Sequence, residues 1–152
     1  MPRIKKRHDA SLLERALVLA LEGHWGHQDA FGEPYILHPL DVMHGLSEED
    51  ERVVAILHDT VENGGDRVSF ERLRAEGYSE HIIRAIDCMT DREGEPYEQR
   101  IERVAADPLA CRVTLAHLRA GMGKRGNLEI TAEEEAGRRS WALQRLLQDE
   151  GA

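Results

Sequence analysis

Four acids, an apolar run and a pair of glycines, met in that order from Glu48 to Gly65, constrain this chain more than any other stretch. Glu48, Glu49, Asp50 and Glu51 suit the positive end of a helix dipole, and Gly64-Gly65 stop the helix that Val53, Val54, Ile56, Leu57 and Val61 build. The spacing predicts a helix that starts at Ser47 and, as the most apolar element, lies at the centre of the fold. His58 and Asp59 are consecutive near its end. A carboxylate is costly to bury unless a partner or a metal ion offsets its charge, so this pair is the anomaly that a function has to explain.

Helix signals recur on both sides, and no segment alternates apolar and polar residues as a half-buried strand does. The expected fold is all-α, a bundle of about seven to eight helices. Ser11 with Glu14 forms a capping box for a first helix that carries Leu13, Ala16, Leu17 and Ala20 on one face and ends near Gly23. A loop leads from there to Pro39, whose fixed φ suits the first turn of a short second helix, so His38 is expected at a helix entrance. Ser69 and Ser79 are caps for helices near 70–76 and 80–89. Helices over 97–106 and 108–120 follow, and Thr131 with Glu134 is a second capping box before a last helix through Trp141, Leu143, Leu146 and Leu147.

The 152 residues are enough for one core without staples, and residues 1–9 read as a basic tail ahead of a single domain over 10–152. Cys88 and Cys111 are far apart and show no CxxC spacing, which suggests neither a disulfide framework nor a thiolate zinc site. With 29 acids against 20 bases the formal charge is −9, which argues against broad electrostatic binding to nucleic acid. No apolar run approaches the roughly 20 residues needed to cross a bilayer, and no uncharged apolar segment follows the basic N-terminus. The expectation is a cytoplasmic protein with no membrane partner. Its oligomeric state is left open.

Side chains at consecutive helix positions point about 100° apart, so His58 and Asp59 reach one ion only if it lies in a groove between them. A third ligand must come from elsewhere, and His38, held beside Pro39, is a candidate. One turn beyond His58 comes Glu62, and one turn beyond Asp59 comes Asn63, so a carboxylate and an amide extend the same polar edge. Mixed imidazole and carboxylate ligation suits manganese, iron, cobalt or zinc better than magnesium or calcium. On these residues alone, both redox and hydrolytic roles remain open.

The segments Gly32-Glu-Pro-Tyr35-Ile-Leu-His38-Pro39-Leu, Val54-Ala-Ile-Leu-His58-Asp59-Thr-Val-Glu62-Asn63, Glu95-Pro-Tyr97-Glu-Gln-Arg-Ile-Glu-Arg103 and Leu115-Ala-His117-Leu118-Arg119 occur in this order. Together they resemble the HD-domain phosphohydrolases, and within them the small single-domain RelA/SpoT-type (p)ppGpp hydrolases. The resemblance implies an HD-type helical bundle with one divalent ion, typically manganese, at His38, His58, Asp59 and His117. It implies a metal-activated water that releases pyrophosphate from the 3′ position of a (p)ppGpp-like nucleotide. It also implies that Glu62 acts as general base or acid, while Asn63 can orient water but cannot take a proton.

This sequence departs from the family's pattern at several positions. His117 stands where the family has aspartate; imidazole can still ligate the same metals, but one negative charge is gone, which turns the preference toward zinc or iron or loosens binding. Asn63 replaces an aspartate. Asp29 and Ala30 stand where the family carries an Arg-Lys pair that contacts the nucleotide, and Gly121 replaces an asparagine. Arg119, Lys124 and Arg125 are the nearby cations that could contact phosphate. The departures keep a second expectation alive: a catalytically degenerate member that binds a nucleotide or a protein partner without turning it over. Of the other histidines, His24 matches a His-x-Gly position and is expected to buttress the loop. His27 suits a polar loop contact, and His8, His44 and His81 suit the surface.

Overall fold

The computed structural model describes residues 10–63, 67–120 and 132–150. Nine helices lie among them: α1 (Leu12–His24), α2 (Leu37–His44), α3 (Glu49–Leu57), α4 (Thr60–Asn63), α5 (Phe70–Ala75), α6 (Glu80–Met89), α7 (Tyr97–Ala105), α8 (Pro108–Ala120) and α9 (Ala132–Glu150). The extended pairing among the described residues is one isolated bridge, between Gln28 and Pro34, so the class is all-α. No described helix is long and apolar enough to cross a membrane.

The local signals act as their chemistry requires. The Ser11 hydroxyl accepts from the Glu14 amide at 3.1 Å and the Glu14 carboxylate accepts from the Ser11 amide at 3.1 Å, which closes the capping box of α1. Ser69 accepts from the Arg72 amide at 3.1 Å and Ser79 from the Ile82 amide at 3.3 Å, starting α5 and α6. Asp107 does the same for α8 through the Ala110 amide, at 2.9 Å. Thr131 lies outside the described residues.

One detail differs from the sequence expectation. The helix expected to run from Ser47 toward Gly64 starts at Glu49 and divides into α3 and α4, with His58 and Asp59 between them. His58 keeps helical dihedrals (φ −57°, ψ −35°) and its amide still reaches the Val54 carbonyl at 2.8 Å, so the division is a local step in the hydrogen-bond ladder that needs no glycine or proline. His38 lies in the first turn of α2, which begins at Leu37, at the helix entrance as expected.

Helix α3 is the hub, packed against α1, α2, α6 and α8. Val53, Val54, Ala55, Ile56 and Leu57 are consecutive and fully buried, so every face of the helix meets a neighbour. Full burial of each large aliphatic side chain contributes about 1.5–3 kcal/mol. Glu51, at the start of α3, is buried against Arg112 of α8 by a 2.6 Å hydrogen bond. The outer helix α9 inserts Ala142 and Leu146, while Trp141 and Leu147 stay exposed. The central helix therefore delivers His58 to the point where α2 and α8 converge.

Candidate metal centre

His38 of α2, His58 at the C-cap of α3 and His117 in the last turn of α8 each turn a ring nitrogen toward one point, and these nitrogens lie within 4.8 Å of one another. Nε2 of His117 is 3.1 Å from Nε2 of His38. Nδ1 of His58 lies 2.7 Å from the Ala55 carbonyl, which can only accept, so the proton sits on Nδ1 and Nε2 faces the cluster. That Nε2 is buried. Its polar contact there is Asp59 Oδ2, at 3.1 Å.

Asp59 stands at the rim of the three imidazoles. Its Oδ2 accepts from the Tyr35 hydroxyl at 2.8 Å and lies 3.6 Å from His38 Nε2. Burial alone would raise its pKa, yet His58, His117 and His38 hold the carboxyl well below the usual carboxylate range. Burial also opposes charge on His58, but Asp59 and the Ala55 carbonyl outweigh it and raise the imidazole above its ordinary value. For His117, burial followed by the neighbouring His58 and His38 pushes the pKa down to about 3, so its ring is neutral at physiological pH. Three imidazole nitrogens turned toward one point, with a carboxylate beside two of them, are donors of the kind that a divalent d-block ion takes.

The loop between α1 and α2 carries the outer support. Asp29 Oδ1 accepts from the amides of Phe31 (2.8 Å) and Glu33 (3.0 Å), and Gly32, at φ +81°, completes the turn. Asp29 organises this loop. Tyr35 lies with its ring centroid 4.8 Å from that of His24 and 5.8 Å from that of His38. His24 is buried as expected of a buttress, with Nε2 3.4 Å from the Thr60 hydroxyl; burial pushes its pKa down to about 4. His44 and His81 are exposed. Helix α4 continues directly from Asp59, but the side chains of Glu62 and Asn63 lie outside the described residues, as do Gly121, Lys124 and Arg125.

A cavity of about 630 Å³ opens beside His117. Arg92 from the 91–96 loop, Arg100 from α7, and Arg138 and Arg139 from α9 line it, together with Asp91, Glu95 and Glu135. The Arg100 and Arg138 guanidinium groups lie over the Tyr97 ring, 5.3 and 5.5 Å from its centroid. Arg100 also pairs with Asp91, and Arg139 with Glu135 at 3.0 Å. Arg119, expected near this region, instead lines a different cavity with Asp41 and Arg112. The cationic wall was not anticipated from sequence. Its signals are faint: Tyr97 and Arg100 one turn apart, and the Arg138-Arg139 pair just ahead of Trp141.

Arg103 sets the position of that wall. Its guanidinium donates to the carbonyls of Asp87, Cys88 and Thr90 at 3.1, 2.9 and 3.0 Å, and to Glu95 at 2.6 and 2.9 Å. The end of α6 and the following loop are thereby tied to α7.

No protein-family model matches the chain. Among curated proteins it is 29% identical to a guanosine-3′,5′-bis(diphosphate) 3′-pyrophosphohydrolase of Aquifex aeolicus, over 83% of this chain and 19% of that protein. It is 30% identical to a GTP pyrophosphokinase of Myxococcus xanthus, over 59% of this chain and 12% of that protein. To the GTP pyrophosphokinase rsh of Brucella ovis it is 40% identical, over 40% of this chain and 9% of that protein. The chain thus spans less than a fifth of the length of these relatives.

Proposed function

We propose that this chain is a metal-dependent phosphohydrolase of the HD type, acting on a nucleotide and most closely a guanosine-3′,5′-bis(diphosphate) 3′-pyrophosphohydrolase. One observation carries the reading: three imidazoles turn ring nitrogens toward one point, with the Asp59 carboxylate beside His58 and His38. The arginine-lined cavity beside it and the partial similarity to proteins named for (p)ppGpp hydrolysis and GTP pyrophosphorylation support the substrate class.

In this reading His38, His58, Asp59 and His117 would hold one divalent first-row ion, the place that manganese typically takes in the family the sequence resembles. The ion, when bound, lowers the pKa of a water and offsets charge on phosphoryl oxygens. Tyr35 holds the Asp59 carboxylate in place. Glu62, one turn beyond His58, handles the proton of the attacking water, and Asn63 orients that water. Arg100, Arg138 and Arg139 bind phosphate oxygens through guanidinium forks.

Pyrophosphate release from ppGpp, measured with added divalent metal on wild type and Asp59→Ala, tests the reading. Turnover in wild type that disappears in Asp59→Ala is the expected result. A second reading, a degenerate domain that binds a nucleotide or protein partner without turnover, draws on Asp29. Where the family resemblance calls for a nucleotide-contacting cation, this carboxylate accepts from the Phe31 and Glu33 amides of its own loop. Metal-loaded protein that turns over neither ppGpp nor any of a panel of phosphorylated nucleotides would establish that reading instead.

A further inference from the structure

We propose that His117 makes this a three-imidazole centre that prefers borderline ions of the zinc and cobalt(II) kind over manganese(II), with the Asp59 carboxylate beside it. The inference rests on the cluster being the metal centre of the proposed function. Among the described residues, the grouping of three or more metal-binding side chains is His38, His58 and His117. Their rings lie edge-on or tilted to one another, with centroids 4.8 to 5.9 Å apart, and their positions come from three different helices packed on the core.

Imidazole nitrogen is a borderline donor, and its bond strengthens from manganese toward zinc along the first row more steeply than that of a carboxylate oxygen. A carboxylate at position 117 would add a negative charge that attracts every divalent ion alike. The neutral ring instead gives up that common attraction and adds a donor that discriminates among ions. The consequence is a selectivity, separate from overall tightness. Tyr35 reinforces it by engaging Oδ2 of Asp59 at 2.8 Å, so that carboxylate shares its electron density with a phenol.

The test is metal binding without substrate. Metal-free wild type is titrated with Co²⁺ by visible absorption, Mn²⁺ and Zn²⁺ are competed against it, and the ratio of the Mn²⁺ to the Co²⁺ dissociation constant is compared with that of His117→Asp and His117→Gln. Wild type should bind Co²⁺ one to one, and His117→Asp should narrow the preference by at least about tenfold. His117→Gln should weaken Co²⁺ more than Mn²⁺. X-ray absorption of the Co²⁺-loaded wild type should show scattering from three imidazoles, a readout that needs no variant to fold. Two imidazoles in that spectrum, or a folded His117→Asp with an unchanged or wider preference, would overturn this inference and leave the proposed function standing. Failure of all three ions to bind wild type one to one would overturn both.

Discussion

Tyr35→Phe removes one hydroxyl from the centre and leaves the aromatic ring in place. The hydroxyl donates to Asp59 Oδ2 at 2.8 Å, and the acceptor is ionised because the surrounding imidazoles depress its pKa. Hydrogen bonds to charged groups are worth about 1.5–3 kcal/mol, and each 1.4 kcal/mol is a factor of ten, which gives roughly 10- to 150-fold. Two effects oppose each other in the variant. A carboxylate that loses a donor becomes more basic, which favours metal. The same carboxylate is also freed to settle on His58, whose Nε2 is already 3.1 Å away and whose pKa is raised by Asp59. Metal must then displace a rotated carboxylate. The second effect should dominate, because the ion needs the His58 nitrogen and the Asp59 oxygen together. Calorimetric titration of metal-free Tyr35→Phe should therefore show affinity lower by about 10- to 100-fold, with an unchanged circular dichroism spectrum. Affinity within about twofold of wild type would refute the assignment of Tyr35 as the residue that positions Asp59.

The cavity, the core and the one strongly shifted tyrosine supply further tests. Arg138→Ala combined with Arg139→Ala should raise KM for a pyrophosphorylated nucleotide by on the order of tenfold or more while leaving kcat nearly constant, as steady-state kinetics would show. Leu57→Ala, at a fully buried position of α3, should lower unfolding free energy by about 2–5 kcal/mol in urea titration, and an effect under about 1 kcal/mol would mean that α3 is not the centre of the core. Burial pushes Tyr78 up to about 12 while its hydroxyl donates to the Leu12 carbonyl at 3.0 Å. Its folded pKa lies above the unfolded value of about 10, so its contribution is fully present below pH 10 and is lost as pH rises toward 12. Alkaline unfolding of Tyr78→Phe should lack that loss between pH 10 and 12.

Local chemistry made the helix starts legible. Ser11, Ser69 and Ser79 accept the amides that their positions announce, and the buried run from Val53 to Leu57 lies where its apolar density put it. The step at His58 was not legible, because the residue keeps helical dihedrals and no glycine or proline marks the place. The convergence of His38, His58 and His117 could be read only through resemblance, since they lie on separate helices and no periodicity links them. Asp29 was legible as an odd charge but not as a turn-maker, which needed the Phe31 and Glu33 amides in view. The arginine wall assembles from the 91–96 loop, α7 and α9, so nothing in any one segment declared it.

The 3.1 Å approach of the His38 and His117 rings also has a mechanical side. The two residues are 79 positions apart, so an ion shared between them would close about half of the chain into a loop. A covalent bridge over such a span restricts the unfolded chain by about 4–5 kcal/mol in chain-entropy estimates. A metal there would act as a removable clasp on the whole bundle, holding α2 to α8 across the central helix. Calorimetric melting with and without chelator would register its release as a change in the stability of the entire fold.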